Sequence, residues 1–247
     1  PGNSTAGNTI AGPPSVTVQD SFGNTVTSSI ASITMAIGMN PGSGTLSGTT
    51  TKNAVSGVAN FNDLSVGKSG TGYTLAASAT GLTGATSSAF NVSAGAANKL
   101  VFSVQPGNAG AGAALSGPPT IVVQDGFGNT TTSSTASITV AIASNPGSGL
   151  LTVTTTRNAS SGVAVFTDLS IAQLGTGYTL SAASSGLTSA TSSAFNITSS
   201  SVTLSATPTS VPAGDSFTVT WAQIPNPTNR DWIGLYAPGS SDTAYLG

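Results

Sequence analysis

The sequence contains no cysteine, no histidine and no glutamate, and among 247 residues its charged side chains amount to seven aspartates and five lysines or arginines. Each absence removes a class of chemistry. A Ser-His-Asp or Cys-His nucleophile cannot be assembled. The common zinc sites, built from thiolates and imidazoles, are excluded as well. Without disulfides, any fold must be held by core packing alone. A charged fraction of 5% and a net charge of −2 leave no basic patch to displace counterions from phosphates, so nucleic acid is not an expected partner. The same shortage of cations argues against anionic membrane surfaces. No stretch of 18 apolar residues exists, so no membrane insertion is expected in this segment, and no charged and then apolar leader pattern follows Pro1.

What the chain has instead is serine and threonine, 77 of them, with 31 glycines and 13 prolines. That composition resembles a disordered tract, but short stretches alternate apolar and polar residues with a period of two, which is the signature of half-buried strands. With so few charges, solubility falls to hydroxyls and glycans, a composition common in secreted and cell-surface β-proteins.

The stretch Val18-Gln19-Asp20-Ser21-Phe22-Gly23-Asn24-Thr25 returns 105 positions later as Val123-Gln124-Asp125-Gly126-Phe127-Gly128-Asn129-Thr130. Laid on 106–198 without a gap, residues 1–93 match at 60 of 93 positions, which marks a duplicated unit. The expected division is a first repeat over 1–95, a second over 96–199 and the first half of a different sandwich over 200–247. In the second repeat, strands are predicted at Lys99–Gln105, Thr120–Gln124, Ala136–Ala143, Leu151–Thr156, Val163–Leu169, from Gly175 and over Ala194–Thr198. Leu151–Thr156 and Val163–Leu169 are expected to pair as a hairpin around Asn158–Gly162. Seven strands in about 100 residues predict tandem immunoglobulin-like antiparallel β-sandwiches, an all-β chain. Tyr73 and Tyr178 fall where a tyrosine corner is expected. The two cores should gather Phe61/Phe166, Tyr73/Tyr178, Phe90/Phe195, Leu64/Leu169, Leu75/Leu180 and Leu82/Leu187.

The repeated Asp-x-Phe-Gly-Asn segment has two readings. Asp20 with Asn24, and Asp125 with Asn129, could begin a calcium site, but one carboxylate per turn falls short of the six to eight oxygens calcium takes. The alternative is a tight turn that sets strand register, since Asp bonds its own downstream backbone and Gly-Asn tolerates positive φ, with Phe22/Phe127 packing over it. No metal and no cofactor is expected. Asn-x-Ser/Thr sequons occur at Asn3, Asn91, Asn129, Asn158 and Asn196, and Asn129 and Asn158 fall in predicted turns that could accommodate glycans. Lys99 and Asn196 invite comparison with pilin-type isopeptide links, but no glutamate exists to assist one. The junctions Ser93–Asn98 and Thr198–Ser201 carry no acid, so short uncharged linkers are expected, able to bend unless the domains pack together.

The string LVFSVQP…AGAALSGPPTIVVQDGFGNT…SSTASITVAI…NPGSG…GVAVFTDLSI…GTGYTLSAASSGLTSATSSAFNIT resembles the bacterial Ig-like repeats found in tandem in very large secreted and cell-surface proteins. The resemblance covers about 200 of the 247 residues. It implies a spacer, stalk, adhesin or surface-layer role at the cell exterior, and it carries no catalytic residues. The tail, Val202–Gly247, is similar in PAGDSFTVTW and DWIGLY to the fibronectin-like domain that precedes the catalytic domain of purple acid phosphatases. That resemblance implies a β-sandwich and no activity. Trp221 and Trp232 in this segment fit core packing, with a sugar-stacking platform as the alternative.

By alignment Pro1 matches Pro106, so the first repeat lacks a counterpart of Lys99–Gln105, and the last unit stops about halfway. An interior piece of a longer chain is one expectation. The other is that a neighbouring molecule supplies the missing strand, as in strand addition to an open sheet edge, with Val202, Thr203, Leu204, Ser205 and Ala206 the candidate donor. The partners expected are thus other copies of the chain, as a homopolymer, or other cell-surface components. Two functional readings follow: a non-enzymatic extracellular structural protein forming a fibre, sheath, stalk or surface layer, or a spacer in a large secreted enzyme or adhesin.

Overall fold

A computed structural model describes residues 1–199 and, as backbone alone, the strands Thr203–Thr207 and Thr218–Ala222. The second repeat shows the architecture in full. Lys99–Val104, Thr120–Gln124 and Val163–Val165 form one antiparallel sheet in that order. The facing sheet runs Ala109–Gly110, Phe195–Thr198, Gly175–Ala183, Ser137–Ser144, Thr156–Asn158, antiparallel except for its first, parallel pair. This is an immunoglobulin-like sandwich whose leading segment serves both sheets.

The split of that segment follows from its sequence. Pro106 has no N–H to give to a ladder and fixes its φ, so pairing stops after Val104. Gly107 then donates to the Ser116 carbonyl at 2.7 Å, and the chain crosses to lie beside Phe195–Thr198. In the other strands, alternation drives one face inward. Ile138 and Val140 are buried while Thr139 and Ala141 face out, and Tyr178, Leu180 and Ala182 are wholly buried in step. Those side chains meet Ile121 and Val123 of the opposite sheet, with Phe166, Leu169 and the neighbouring Phe195, in one core. The Tyr178 hydroxyl donates to the Gln173 carbonyl at 3.0 Å while its ring stacks 5.9 Å from Phe195. Tyr73 repeats both contacts with the Lys68 carbonyl at 2.9 Å and Phe90 at 5.9 Å. The tyrosine corners are therefore structural, and burial pushes the Tyr73 phenol above its ordinary pKa.

The expected hairpin between Leu151–Thr156 and Val163–Leu169 does not form. Leu151–Thr152 pairs with Ser170–Ile171, Thr156–Asn158 with Ser137–Thr139, and Val163–Val165 with Thr120–Val122. The chain changes sheet here. Ser161 and Gly162 both take positive φ and bring only Ser160 and Val163 together, so the turn joins two layers rather than two partners.

The first repeat has its own core, centred on Ile33, Phe61, Leu64, Tyr73, Leu75 and Phe90, separate from that of the second. It differs at one edge. Ser15–Thr17 pairs with Val58–Asn60 on one side, and among the described residues no strand lies on its other side. Leu82, expected in the core, is 44% exposed; its counterpart Leu187 packs against the second core beside the Lys99–Val104 strand, where Leu100 N–H donates to the Thr188 carbonyl.

Separate cores should unfold separately. Urea titration is expected to show two transitions, with the open-edged first repeat unfolding at the lower concentration. Phe166→Ala should destabilise the second repeat by about 3–5 kcal/mol and leave the first transition in place.

Candidate interaction site between repeats

The two Asp-x-Phe-Gly-Asn segments fold into the same corner. In the first, the Asp20 carboxylate accepts from the Phe22 and Asn24 backbone N–H groups at 2.9 Å each and from the Asn24 side-chain amide at 3.1 Å. In the second, Asp125 accepts from Phe127 N at 2.9 Å and from Asn129 N and Nδ2 at 2.8 Å each. Gly23 and Gly128 sit at φ 84° and 78°, the left-handed conformation the turn requires. All carboxylate oxygens in the corner are thus taken by N–H donors, as the turn reading expects. Among the described residues no three acidic, histidine or cysteine side chains come together as a metal site would need.

The surroundings of the two corners differ. The second lies against the first repeat. Asp125 accepts a further bond from Gly95 N–H in the linker at 2.7 Å, and only 1% of its surface is exposed. The Asn129 side chain clamps a loop of the first repeat, accepting from Ser69 N–H at 3.0 Å and donating to the Gly67 carbonyl at 2.9 Å. Lys68 Nζ donates to the Phe127 carbonyl at 2.8 Å. The Phe127 ring lies over Gly7 and Gly67, where even a Cβ would collide with it. The first corner has none of this. Phe22 is 88% exposed and Asn24 is exposed.

One expectation is corrected here. Neither phenylalanine packs over its own turn: Phe22 projects into solvent, and Phe127 packs on a shelf of glycines in the other repeat. The linker meets the condition set for it, since the repeats pack on one another and Asp125 accepts from Gly95 N–H. The signal for this joint was already in the sequence, in a polar corner repeated with more fidelity than a solvent-exposed turn requires. Its partner surface, Gly7 with Gly67-Lys68-Ser69, carried no pattern that sequence alone could mark.

The sequons fall in different settings. Asn129 is buried with both ends of its amide engaged, which leaves its nitrogen no open side for a glycan in the folded joint. Asn3 accepts from the Asn91 backbone, Asn91 from Gly72 and Asn196 from Gly177. Asn158 is exposed at a strand end and has no side-chain bond among the described residues. The candidate donor strand is seen as backbone: Thr203–Thr207 pairs antiparallel with Thr218–Ala222, so one of its edges is engaged. Trp232 and the rest of the tail beyond Ala222 lie outside the described residues, so the phosphatase-like resemblance stays an expectation.

No protein-family model matches the chain, and no curated protein is similar to it in sequence. Among solved structures, the Escherichia coli adhesin FdeC is similar at 20% identity over 90% of this chain and 70% of that one, with a TM-score of 0.40. The Yersinia pseudotuberculosis adhesin InvE is similar at 19% identity over 80% and 56%, with a TM-score of 0.31. A Bacteroides vulgatus β-glycosidase is similar at 11% identity over 65% and 20%, with a TM-score of 0.32. This chain therefore corresponds to about a fifth of the glycosidase. Enzymes and adhesins both appear among such neighbours, so the likeness does not choose between them.

Burial alone would push the Asp125 carboxyl up, but the bonds from Asn129, Gly95 and Phe127 outweigh it and hold the pKa below the usual carboxylate value. A depressed folded-state pKa means stability that is complete above the unfolded value, near 3.9, and is lost as pH falls through the lower folded value. The joint is expected to hold at neutral pH and to loosen in acid below about pH 4. Asp125→Asn should flatten that dependence when second-repeat stability is followed against pH. Gly23→Val and Gly128→Val should each cost their own repeat about 1–3 kcal/mol, read from the corresponding urea transition.

Proposed function

We propose that the chain is a non-enzymatic, load-carrying segment of a cell-surface protein, in which Ig-like units are set end to end as a stalk or fibre that holds a binding region away from the cell. The observation that carries this reading is the joint. A linker that could swing freely is instead pinned by Asp125, and the neighbouring loop is clamped by Asn129, which is what a spacer needs to keep its direction. The residues the repeats share include those of the two cores and of the Asp20 and Asp125 corners. Their surfaces are hydroxyl-rich and nearly uncharged, which suits the cell exterior, and Asn158 is the sequon best placed to carry a glycan there.

The spacer of a large secreted enzyme remains the second reading, favoured by the phosphatase-like tail. Both place the repeats outside the cell, and both give them the same mechanical work. Other surface components, or further copies of the chain, are the proposed partners.

Antibodies raised against the chain should label intact cells that produce it; labelling only after permeabilisation would refute the surface location. Under axial force, the two described repeats should give two separate unfolding events, each releasing about 30 nm of chain at roughly 3.5 Å per residue. A single, smaller release would show that they do not bear load as independent units.

A further inference from the structure

The loop that receives a corner in the first repeat has changed character in the second. Gly67-Lys68-Ser69, which meets Asn129 through the Ser69 N–H and the Gly67 carbonyl, corresponds 105 residues later to Ala172-Gln173-Leu174. Nearby, Leu150 stands where the first repeat has Thr45, and Val153 where it has Gly48. The two segments run side by side: Leu150 N–H donates to the Gln173 side-chain carbonyl at 3.3 Å, and a Cβ on Gly147 would collide with the Leu174 carbonyl. Leu150 and Leu174 are 73% and 55% exposed, so an apolar patch occupies the place of a polar clamp. Val153 is exposed as well and takes φ 79°, a left-handed conformation that costs a β-branched residue energy.

What is tethered to this patch follows from chain length and register. Phe90–Ser93 and Phe195–Thr198 are corresponding strands, and the next strands begin at Lys99 and Thr203. Thr198 lies at the patch, because the adjacent Ala111 and Gly112 donate to the Thr198 and Ile171 carbonyls at 2.9 Å each. From Thr198 to Thr203 the chain can reach at most about 18 Å. Lys99 pairs with Gln124, after which the Asp125 corner begins; Thr203 pairs with Ala222, after which the sequence reads Gln223-Ile224-Pro225-Asn226-Pro227. The segment that takes the corner's place in register has no acid and offers an isoleucine and two prolines.

We infer that Leu150 and Leu174 form the docking site for the third unit of this chain, with Gln223–Pro227 as the occupant and the Ile224 side chain set against the two leucines. The second joint is then an apolar version of the first, shelf and facing segment having changed together: Thr45 and Ser69 give way to leucines where Asp-Gly-Phe-Gly-Asn gives way to Gln-Ile-Pro-Asn-Pro. This goes beyond the stalk reading and does not depend on where the protein resides.

Two measurements on the full chain test it. In methyl NMR, nuclear Overhauser contacts should join the Ile224 methyls to those of Leu150 and Leu174. In Ile224→Asp those contacts should be lost, and a soluble gadolinium chelate should relax both leucine methyls faster than in the native chain. Second, Trp221 and Trp232 are the chain's two tryptophans, so tryptophan emission reports on the third unit alone. The double substitution Leu150→Thr, Leu174→Ser restores the residues of the first repeat at two exposed positions, and it should lower the urea midpoint of the emission change. Leucines that merely face water would leave that midpoint where it is. No Overhauser contact in the native chain, an emission midpoint unmoved by the double substitution, or emission with no cooperative change would each overturn the proposal. So would protection of the leucine methyls that appears only as the chain is concentrated, the sign of a second copy on the patch.

Discussion

One carboxylate organises the contact between the repeats. Asp125 gathers three donors from its own corner, which fixes the turn and aims the Asn129 amide and the Phe127 ring outward, and its remaining lone pair takes the linker N–H of Gly95. Charge-assisted bonds of this kind are worth roughly twice neutral ones, and here they are formed away from water. They hold the turn and, through it, the alignment of the Asn129 clamp on Gly67 and Ser69. The joint is thus an extension of local turn chemistry. The residues that make the corner also make the interface, and the phenylalanine needs only a glycine shelf to lie on.

The second constraint is the leading strand. An Ig-like sandwich whose Lys99–Val104 strand is in place buries Val123, Ile121 and Ala182 completely, whereas the first repeat leaves Val16 half-buried, Val18 and Ala77 slightly open and Leu82 exposed over nearly half its surface. Because the linker runs directly into that strand, covering the edge and seating the corner are parts of one event. Two units joined this way share a strand boundary as well as an interface, which stiffens the connection more than an interface of a few hydrogen bonds would do alone.

Much of this was legible in the sequence. The 105-residue period, the alternation in Ser137–Ser144 and Gly175–Ala183, and the aromatic and leucine pairs were enough to read two all-β sandwiches and most of their cores. The hairpin was misread because Leu151–Thr156 and Val163–Leu169 both alternate and flank a good turn. Which partner each strand takes is decided by sheet-switching across the sandwich, a long-range choice that local pattern does not encode. Leu82 differs for a related reason, since its counterpart Leu187 packs beside the Lys99–Val104 strand and Leu82 has no such neighbour among the described residues. The corner was recognised as a turn from Asp, Gly and Asn, but its role as a joint depended on a surface built from Gly7, Gly67 and backbone groups of Lys68 and Ser69, none of which advertises itself by residue type.

If the Asp125 corner fixes one repeat against the other, the two keep one relative orientation in solution. Residual dipolar couplings measured on backbone amides of both repeats test it most directly. A single alignment tensor fitting residues 5–93 and 99–198 together, in the relative orientation set by the Asp125 and Asn129 contacts, is the predicted result. Two independent tensors in the native chain at neutral pH would contradict it.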